Sequence, residues 1–203
     1  MTTLPRVSAR LTLVAHASTA ATSRAAFAHD EGLEPRGAAA AAAARIARVG
    51  VAVCSPAPAA VETAAALGLS ATPDPALADW HRGDWRGRTL DDVAADAPAA
   101  VAAWLGDPDA APHGGETLTA LVARVAAWLS ERDADRHTVA VTHAAVVRAA
   151  VIATLGAPAS GFWRLDVAPL TATVLRGGPA RWTVRGTALP LDAEPGAGSG
   201  RFG

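Results

Sequence analysis

Short apolar runs alternate with longer amphipathic or alanine-rich stretches along this chain. Leu11-Thr12-Leu13-Val14, Val51-Ala52-Val53-Cys54 and Thr138 to Thr142 have strand length and almost no polar positions, the pattern of strands buried on both faces. Between them lie segments that read as helices: Ala38 to Arg48 after Pro35-Arg36-Gly37, Ala59 to Leu67 ending at Gly68, and Ala144 to Leu155. Thr89 to Ala95 and Pro98 to Leu105 read as two short helices set in loops rich in Pro and Asp. The clearest helical period runs from Glu116 to Arg132, where Leu118, Leu121, Val122, Val125, Trp128 and Leu129 share one face. Leu170 to Leu175 and Arg181 to Thr187 alternate about Gly177-Gly178 and predict a hairpin. Beyond about Asp192 the glycine-rich end reads as a disordered tail, 192–203. Strands alternating with helices predict one α/β domain over 1–191, a three-layer α/β/α sandwich with a mostly parallel central sheet. Ligands of such sheets bind beyond the carboxyl ends of the strands. His16, Ser55-Pro56 and His143 follow the three buried strands directly.

Composition narrows the classes of function. The chain has 203 residues, 51% hydrophobic and 18% charged, with a formal net charge of -1. That balance gives no general attraction to nucleic acid or to an anionic membrane. No apolar run approaches the ~20 residues that span a bilayer. Met1 to Arg10 lacks the apolar core of a secretion signal. With a single cysteine, Cys54, an internal disulfide and a Cys-cluster metal site are both excluded. The expectation is a cytoplasmic protein acting on a small molecule, with no cofactor and no metal. Its oligomeric state is left open. Alanine occupies 54 positions, while Lys, Asn, Gln and Tyr are absent; the missing types use mostly A/T-rich codons, which points to a high-GC bacterial genome. All 18 basic residues other than His are Arg, so a position without Arg is not forced by scarcity.

The two strand-end histidines sit in a wider pattern. Leu11-Thr12-Leu13-Val14-Ala15-His16-Ala17-Ser18-Thr19 resembles the opening signature of the histidine phosphatase superfamily, also called phosphoglycerate-mutase-like. Further segments resemble that family in the same order. They are Phe27 to Leu33 with Arg36-Gly37, Cys54-Ser55-Pro56 with Glu62-Thr63-Ala64, and Gly83-Asp84-Trp85-Arg86-Gly87. His113-Gly114-Gly115-Glu116-Thr117 and Val139 to Arg148 complete the series, and the resemblance covers about residues 10 to 175. It implies the phosphoglycerate-mutase-like fold. It also implies a mechanism in which one histidine attacks phosphorus, a carboxylic acid protonates the leaving oxygen, and water releases phosphate. By position His16 is the nucleophile and His143 the second pocket histidine. Asp79, in Leu77-Ala78-Asp79-Trp80, stands where related phosphatases carry a Glu acid; from the residues alone a solvated loop acid is an equal reading. His16, Asp79 and His143 also make a two-His, one-carboxylate set, although no local metal motif supports it.

The departures from the family carry as much weight. Ala15 and Ala59 stand where the family has its two phosphate-clamping arginines, Ala17 replaces a Gly, and Thr22 occupies a pocket Asn position. Losing one preorganised donor costs about 10²–10³ in rate. The ligand pocket is therefore expected at Ala15, Ala17, Ser18, Thr22, Ala59, Trp80 and Ala144, apolar and short of cations. Substitute cations are sought in Arg24, Arg82 and Arg86, with His81 and Arg88 on the same loop, although that loop reads more readily as a solvated basic one. Arg148 reads as structural. The preferred function is a repurposed small-molecule enzyme using His16, His143 and Asp79 rather than an efficient phosphatase. The alternatives are a slow phosphomonoesterase acting through a phosphohistidine at His16, and a non-catalytic binding or scaffolding protein.

Overall fold

A computed structural model of the chain describes residues 9–46, 49–132, 136–178 and 181–191. The strands are β1 (Ala9–Ala15), β2 (Val51–Cys54), β3 (Thr72–Pro73), β4 (His137–Thr142), β5 (Thr171–Gly178) and β6 (Arg181–Pro190). They form one sheet in the order β3-β2-β4-β1-β5-β6. β1, β2, β3 and β4 are parallel, while β5 runs antiparallel to β1 and β6 antiparallel to β5. The sheet is thus mixed, with a parallel half that carries the strand ends of interest.

The helices are α1 (Ala20–Ser23), α2 (Pro35–Ala43), α3 (Pro58–Ala66), α4 (Leu90–Asp96), α5 (Pro98–Gly106), α6 (Leu118–Ser130) and α7 (Ala144–Leu155). Alternation along β1 assigns them to layers. Leu11 and Leu13 pack into the larger core with Leu121, Val125, Val146 and Ala150 of α6 and α7. Val14 faces the other way, into a smaller core with Cys54, Val141 and Ala60 and Ala64 of α3. Small side chains on α3 and α7 let both helices lie close to the sheet. The larger core also holds an aromatic cluster, in which Trp80, Trp85, Trp104, Phe162 and Trp163 pack with ring centroids 4.7–5.9 Å apart.

Local signals explain most boundaries. Proline stands in the first turn of α2, α3 and α5, where its missing N–H costs nothing. Thr89 and Thr117 cap α4 and α6 through their hydroxyls. Gly156, at φ +58, closes α7 in a left-handed conformation. Helix α2 is shorter than expected and earlier: it starts at Pro35, and Ala44 is already extended. Alanine content had suggested a continuation to Arg48, which lies outside the described residues. Two elements carried no readable pattern. Strand β3 has only two exposed residues. Helix α1 is a single turn held by a reciprocal capping box between Thr19 and Thr22. Strand β6 extends to Pro190, past the expected Thr187. The tail expected over 192–203 lies outside the described residues.

The helical face read from the sequence is buried at Leu118, Leu121, Val125, Trp128 and Leu129, with Val122 at its margin. Leu121→Ala, at a site with 0% exposure, is expected to lower unfolding free energy by about 2–5 kcal/mol, measured by urea denaturation.

Candidate active site

The pocket forms where the parallel ladder ends. Ala15 of β1 is in register with Thr142 of β4, and the His16 amide donates to the Thr142 carbonyl at 2.8 Å. The two histidines that follow are therefore neighbours, with ring centroids 5.0 Å apart and planes at 73°. On the other side of β4, the Ser55 amide donates to the Val141 carbonyl at 2.9 Å. Ser55 thus takes its place in the same row, and its hydroxyl oxygen is 2.9 Å from His143 Nε2.

Each imidazole has a defined orientation. His16 Nδ1 lies 2.7 Å from the Ala17 carbonyl. A carbonyl can only accept, so Nδ1 carries the proton and the Nε2 lone pair is left for the cavity. His143 Nδ1 is buried without a hydrogen-bond partner; the carboxylate of Asp79 stands 3.8 Å from it.

The cavity above these residues has a volume of about 420 Å³. His16, His143 and Ser55 border it from the strand ends, and Pro56, Ala57, Pro58 and Ala59 from the start of α3. Ala78, Asp79, Trp80, His81 and Arg82 form the facing wall, with Ala28, Asp30, Glu31, Thr19 and Arg86 closing the circuit. The wall around Asp79 is held from outside. Arg124 of α6 makes two bonds of 2.8–2.9 Å to the Glu116 carboxylate and donates to the carbonyls of Ala76, Ala78 and Asp79. Trp80 Nε1 donates to the Glu116 carbonyl at 2.6 Å. The turn at His113 to Glu116 lies against this loop so closely that a Cβ on Gly115 would collide with the His81 carbonyl.

The cations of the pocket are largely engaged. Arg86 pairs with Asp30 at 2.5 Å. Arg82 has no carboxylate partner among the described ion pairs; its guanidinium lies 4.2 Å from the Trp80 ring centroid, with Trp104 and Phe27 at 5.4 and 5.2 Å. Burial lowers its pKa to about 10, against the opposing pull of Asp79, which leaves it charged at neutral pH. Burial also disfavours the charged form of Asp79. His143, Arg82, the Trp80 amide and His16 together outweigh that effect and hold the carboxyl below its ordinary range. Burial pushes His143 downward, and Asp79 opposes it only in part. At neutral pH the pair is therefore a carboxylate beside a neutral imidazole.

The expected site residues divide accordingly. His16, His143, Asp79, Ala59, Trp80, Arg82 and Arg86 all border the cavity, but Ala15, Ala17, Ser18, Thr22, Ala144 and Arg24 do not. Ala15 packs into the main core. The Ala17 amide is tied to the Thr63 hydroxyl, and the Ser18 carbonyl accepts the Glu34 amide. Thr22 serves in the capping box of α1. Ala144 is the first residue of α7 and packs against the main core. Arg24 bonds back to the Ala20 carbonyl on the surface. Arg88 pairs with Asp96 away from the cavity, and Arg148 donates to the Leu165 carbonyl, a structural role. Asp30, Glu31 and Arg124 were given no site role from the sequence, and Ser55 was noted at its strand end without one. Only Ser55 had a usable signal, its position at the end of a strand adjacent to the one that ends in His143.

Among the described residues no group of three His, Cys, Asp or Glu side chains is disposed to hold a metal ion, and no helix is long and apolar enough to cross a membrane. The architecture is that of an α/β family carrying a buried histidine pair beyond its parallel strand ends. The chain belongs to one such family: the model of the histidine phosphatase superfamily (branch 1) matches residues 11–189. A glucosyl-3-phosphoglycerate phosphatase of Mycolicibacterium vanbaalenii is 33% identical over 153 residues, covering 68% of this chain and 64% of that protein. Its Mycobacterium tuberculosis counterpart is 43% identical over 65 residues, 32% of this chain and 29% of that protein. The matched segments thus span less than two thirds of these relatives. The structure of a mycobacterial glucosyl-3-phosphoglycerate phosphatase with VO3 superposes with a TM-score of 0.77 at 30% identity, covering 89% of this chain and 98% of that one. An alpha-ribazole phosphatase from Shigella flexneri shares the fold, with a TM-score of 0.77 at 23% identity over 94% of this chain and all of that one.

The Asp79–His143 contact has a spectroscopic consequence. His143 should titrate below its ordinary value of 6.5. Asp79→Asn removes the group that favours the imidazolium and should lower the midpoint further, read by NMR of the His143 ring. The linked stability has a definite sign: a histidine with a depressed folded pKa contributes fully above its unfolded value, and that contribution is lost as pH falls toward the folded one.

Proposed function

We propose that this chain is a small-molecule enzyme of the histidine phosphatase superfamily whose pocket takes a less anionic substrate than an ordinary phosphate monoester. His16, His143 and Asp79 are its reacting groups. The observation that carries this reading is the charge inventory of the cavity. Ala59 lies on its wall and Ala15 in the core beneath it, where the family resemblance places two arginines. Of the two guanidinium groups present, Arg86 is neutralised by Asp30. Asp30, Glu31 and Asp79 bring three acidic residues to the lining of the cavity. A monoester dianion would meet one unpaired guanidinium and excess negative charge, whereas phosphoryl transfer depends on preorganised cations around the equatorial oxygens. The proline and alanine wall from Pro56 to Ala59 favours an apolar moiety.

A slow phosphomonoesterase is the second reading, and one observation favours it: His16 presents Nε2 to the cavity with Nδ1 pinned by the Ala17 carbonyl, an orientation suited to attack on phosphorus. The glucosyl-3-phosphoglycerate phosphatases among its relatives support the same direction. On that route Nε2 would attack phosphorus, the leaving oxygen would take a proton, and water would release phosphate. Asp79, ionised at neutral pH, would first have to gain that proton.

The two readings part on a simple assay. The wild-type protein is expected to turn over an aryl phosphate far below the ~1 s⁻¹ floor of typical enzymes and to bind vanadate weakly. Ala59→Arg should restore measurable vanadate binding by calorimetry and raise aryl phosphatase activity, because a guanidinium there enters the cavity and grips oxygens bidentately. Ala15→Arg should add less, since its side chain starts inside the packed core. Ordinary turnover by the wild type would establish the phosphomonoesterase and identify Arg82 as the first candidate for its clamp.

A further inference from the structure

We propose that Ser55, His143 and Asp79 form a serine hydrolase triad at the floor of the cavity, able to cleave an uncharged ester of a small acid. The inference rests on the preceding reading that the pocket receives a weakly charged molecule, and adds a second nucleophile to it. The three groups stand in the order that the chemistry requires: hydroxyl, imidazole, carboxylate. Ser55 Oγ is 2.9 Å from His143 Nε2, and Asp79 Oδ2 is 3.8 Å from His143 Nδ1.

The hydrogen-bond directions agree. The Ala57 amide donates to Ser55 Oγ at 3.2 Å, leaving the hydroxyl proton for His143 Nε2. An imidazole that accepts at Nε2 carries its proton on Nδ1, and Nδ1 is the nitrogen that faces the Asp79 carboxylate. The opposite tautomer would set a lone pair against a negative charge. The orphaned state of Nδ1 is thus resolved by a small closure onto Asp79, since such bonds are often long before substrate binds. Ser55 is shielded from bulk water but borders the cavity, so access is through the substrate chamber. The apolar stretch from Pro56 to Ala59 begins immediately after it.

The steps balance without any further reagent except water. Ser55 Oγ attacks the carbonyl carbon as its proton passes to His143 Nε2, and Asp79 stabilises the resulting imidazolium. Arg82 and the Ala59 amide in the first turn of α3 border the same cavity and can stabilise the oxyanion. The tetrahedral intermediate expels the alkoxide, which takes the proton from Nε2 and leaves as the alcohol. Water then gives a proton to His143 and attacks the acyl group. Ser55 recovers its proton from Nε2, and the carboxylic acid departs. His16, edge-on to His143, packs the imidazole from the side away from Ser55.

The test is covalent labelling of the full chain with phenylmethylsulfonyl fluoride, followed by peptide mass mapping. Attack by Oγ displaces fluoride and leaves a sulfonate ester on Ser55. The expected result is one label per chain, on Ser55, together with hydrolysis of p-nitrophenyl acetate above the rate of free imidazole. Ser55→Ala and His143→Gln, checked for folding by thermal melts, should lose both. Asp79→Asn should slow the hydrolysis by at least about tenfold. Mapping of the wild type requires no variant to fold. A label on His16, or none at all with ester hydrolysis indifferent to Ser55→Ala, overturns the triad. The weak-anion pocket is judged separately, by vanadate binding in Ala59→Arg.

Discussion

The parallel pairing of β1 with β4 at the centre of the sheet is the constraint on which the site depends. Its register runs from Arg10 opposite His137 to Ala15 opposite Thr142. The next residue on each strand is a histidine, and neither has freedom to lie elsewhere. Strand β2 joins the other edge of β4 in register from Val51 to Cys54, which places Ser55 one strand further along. Ser55, His143 and His16 therefore stand in a row set by the ladder. A one-residue slip would exchange the apolar faces of β1, setting Leu11 and Leu13 against α3 and Val14 against α6 and α7; both cores oppose it.

The carboxylate is supplied differently. Asp79 sits on a loop, and a loop acid ordinarily samples many positions. Here the loop is fastened from two sides. Arg124 satisfies the carbonyls of Ala76, Ala78 and Asp79 from α6, while the His113 to Glu116 turn lies against its other flank, with the Glu116 amide donating to the His81 carbonyl at 2.9 Å. Trp80 anchors the backbone next to the acid by burying its ring in the aromatic cluster. Rigid strand ends provide the imidazoles, and a clamped loop brings the charge to them. The two depressed values have different causes: burial lowers His143 against the pull of Asp79, whereas for Asp79 burial acts upward and is outweighed by His143, Arg82, the Trp80 amide and His16.

Much of this was legible in the sequence because it follows from periodicity. The three strand runs, the amphipathic face from Leu118 to Leu129 and the hairpin after Leu170 all exist where their patterns place them, although β2 is half-buried at Val51, Ala52 and Val53 and buried only at Cys54. His16, His143 and Asp79 meet at one cavity. What was not legible depends on tertiary contact. Strand β3 is two residues with no period, and α1 is one turn stabilised by its own cap. The family resemblance puts Ala17 and Thr22 at pocket positions and makes Arg24 a candidate substitute cation. The chain, however, turns away at Thr19 to start a helix, and they face other partners. Arg124 lies 45 positions from Asp79, and nothing in either neighbourhood announces that one holds the other. Arg82 and Arg86 looked equivalent by sequence. Only the fold shows one spent on Asp30 and the other held over Trp80.

That difference between the two arginines bears on how such a fold changes its chemistry. The histidine row is a property of the ladder and survives substitution of the residues around it. The cations of a phosphate site are side chains at the first turn of a helix and the last residue of a strand, where exchange for alanine leaves the backbone intact. At Ala59 the exchange leaves a small apolar wall at the start of α3 and no orphaned group. At Ala15 the methyl joins the core. On the proposed reading an anion site is removed without disturbing the row, because the imidazoles and the serine hydroxyl are placed by strand pairing and the carboxylate by the loop that Arg124 holds. On that reading Arg82, a single guanidinium stacked on indole, would supply only part of a phosphate clamp. Such a cavity would, on the proposed reading, favour a reaction whose charge develops in the transition state over one whose substrate arrives fully charged.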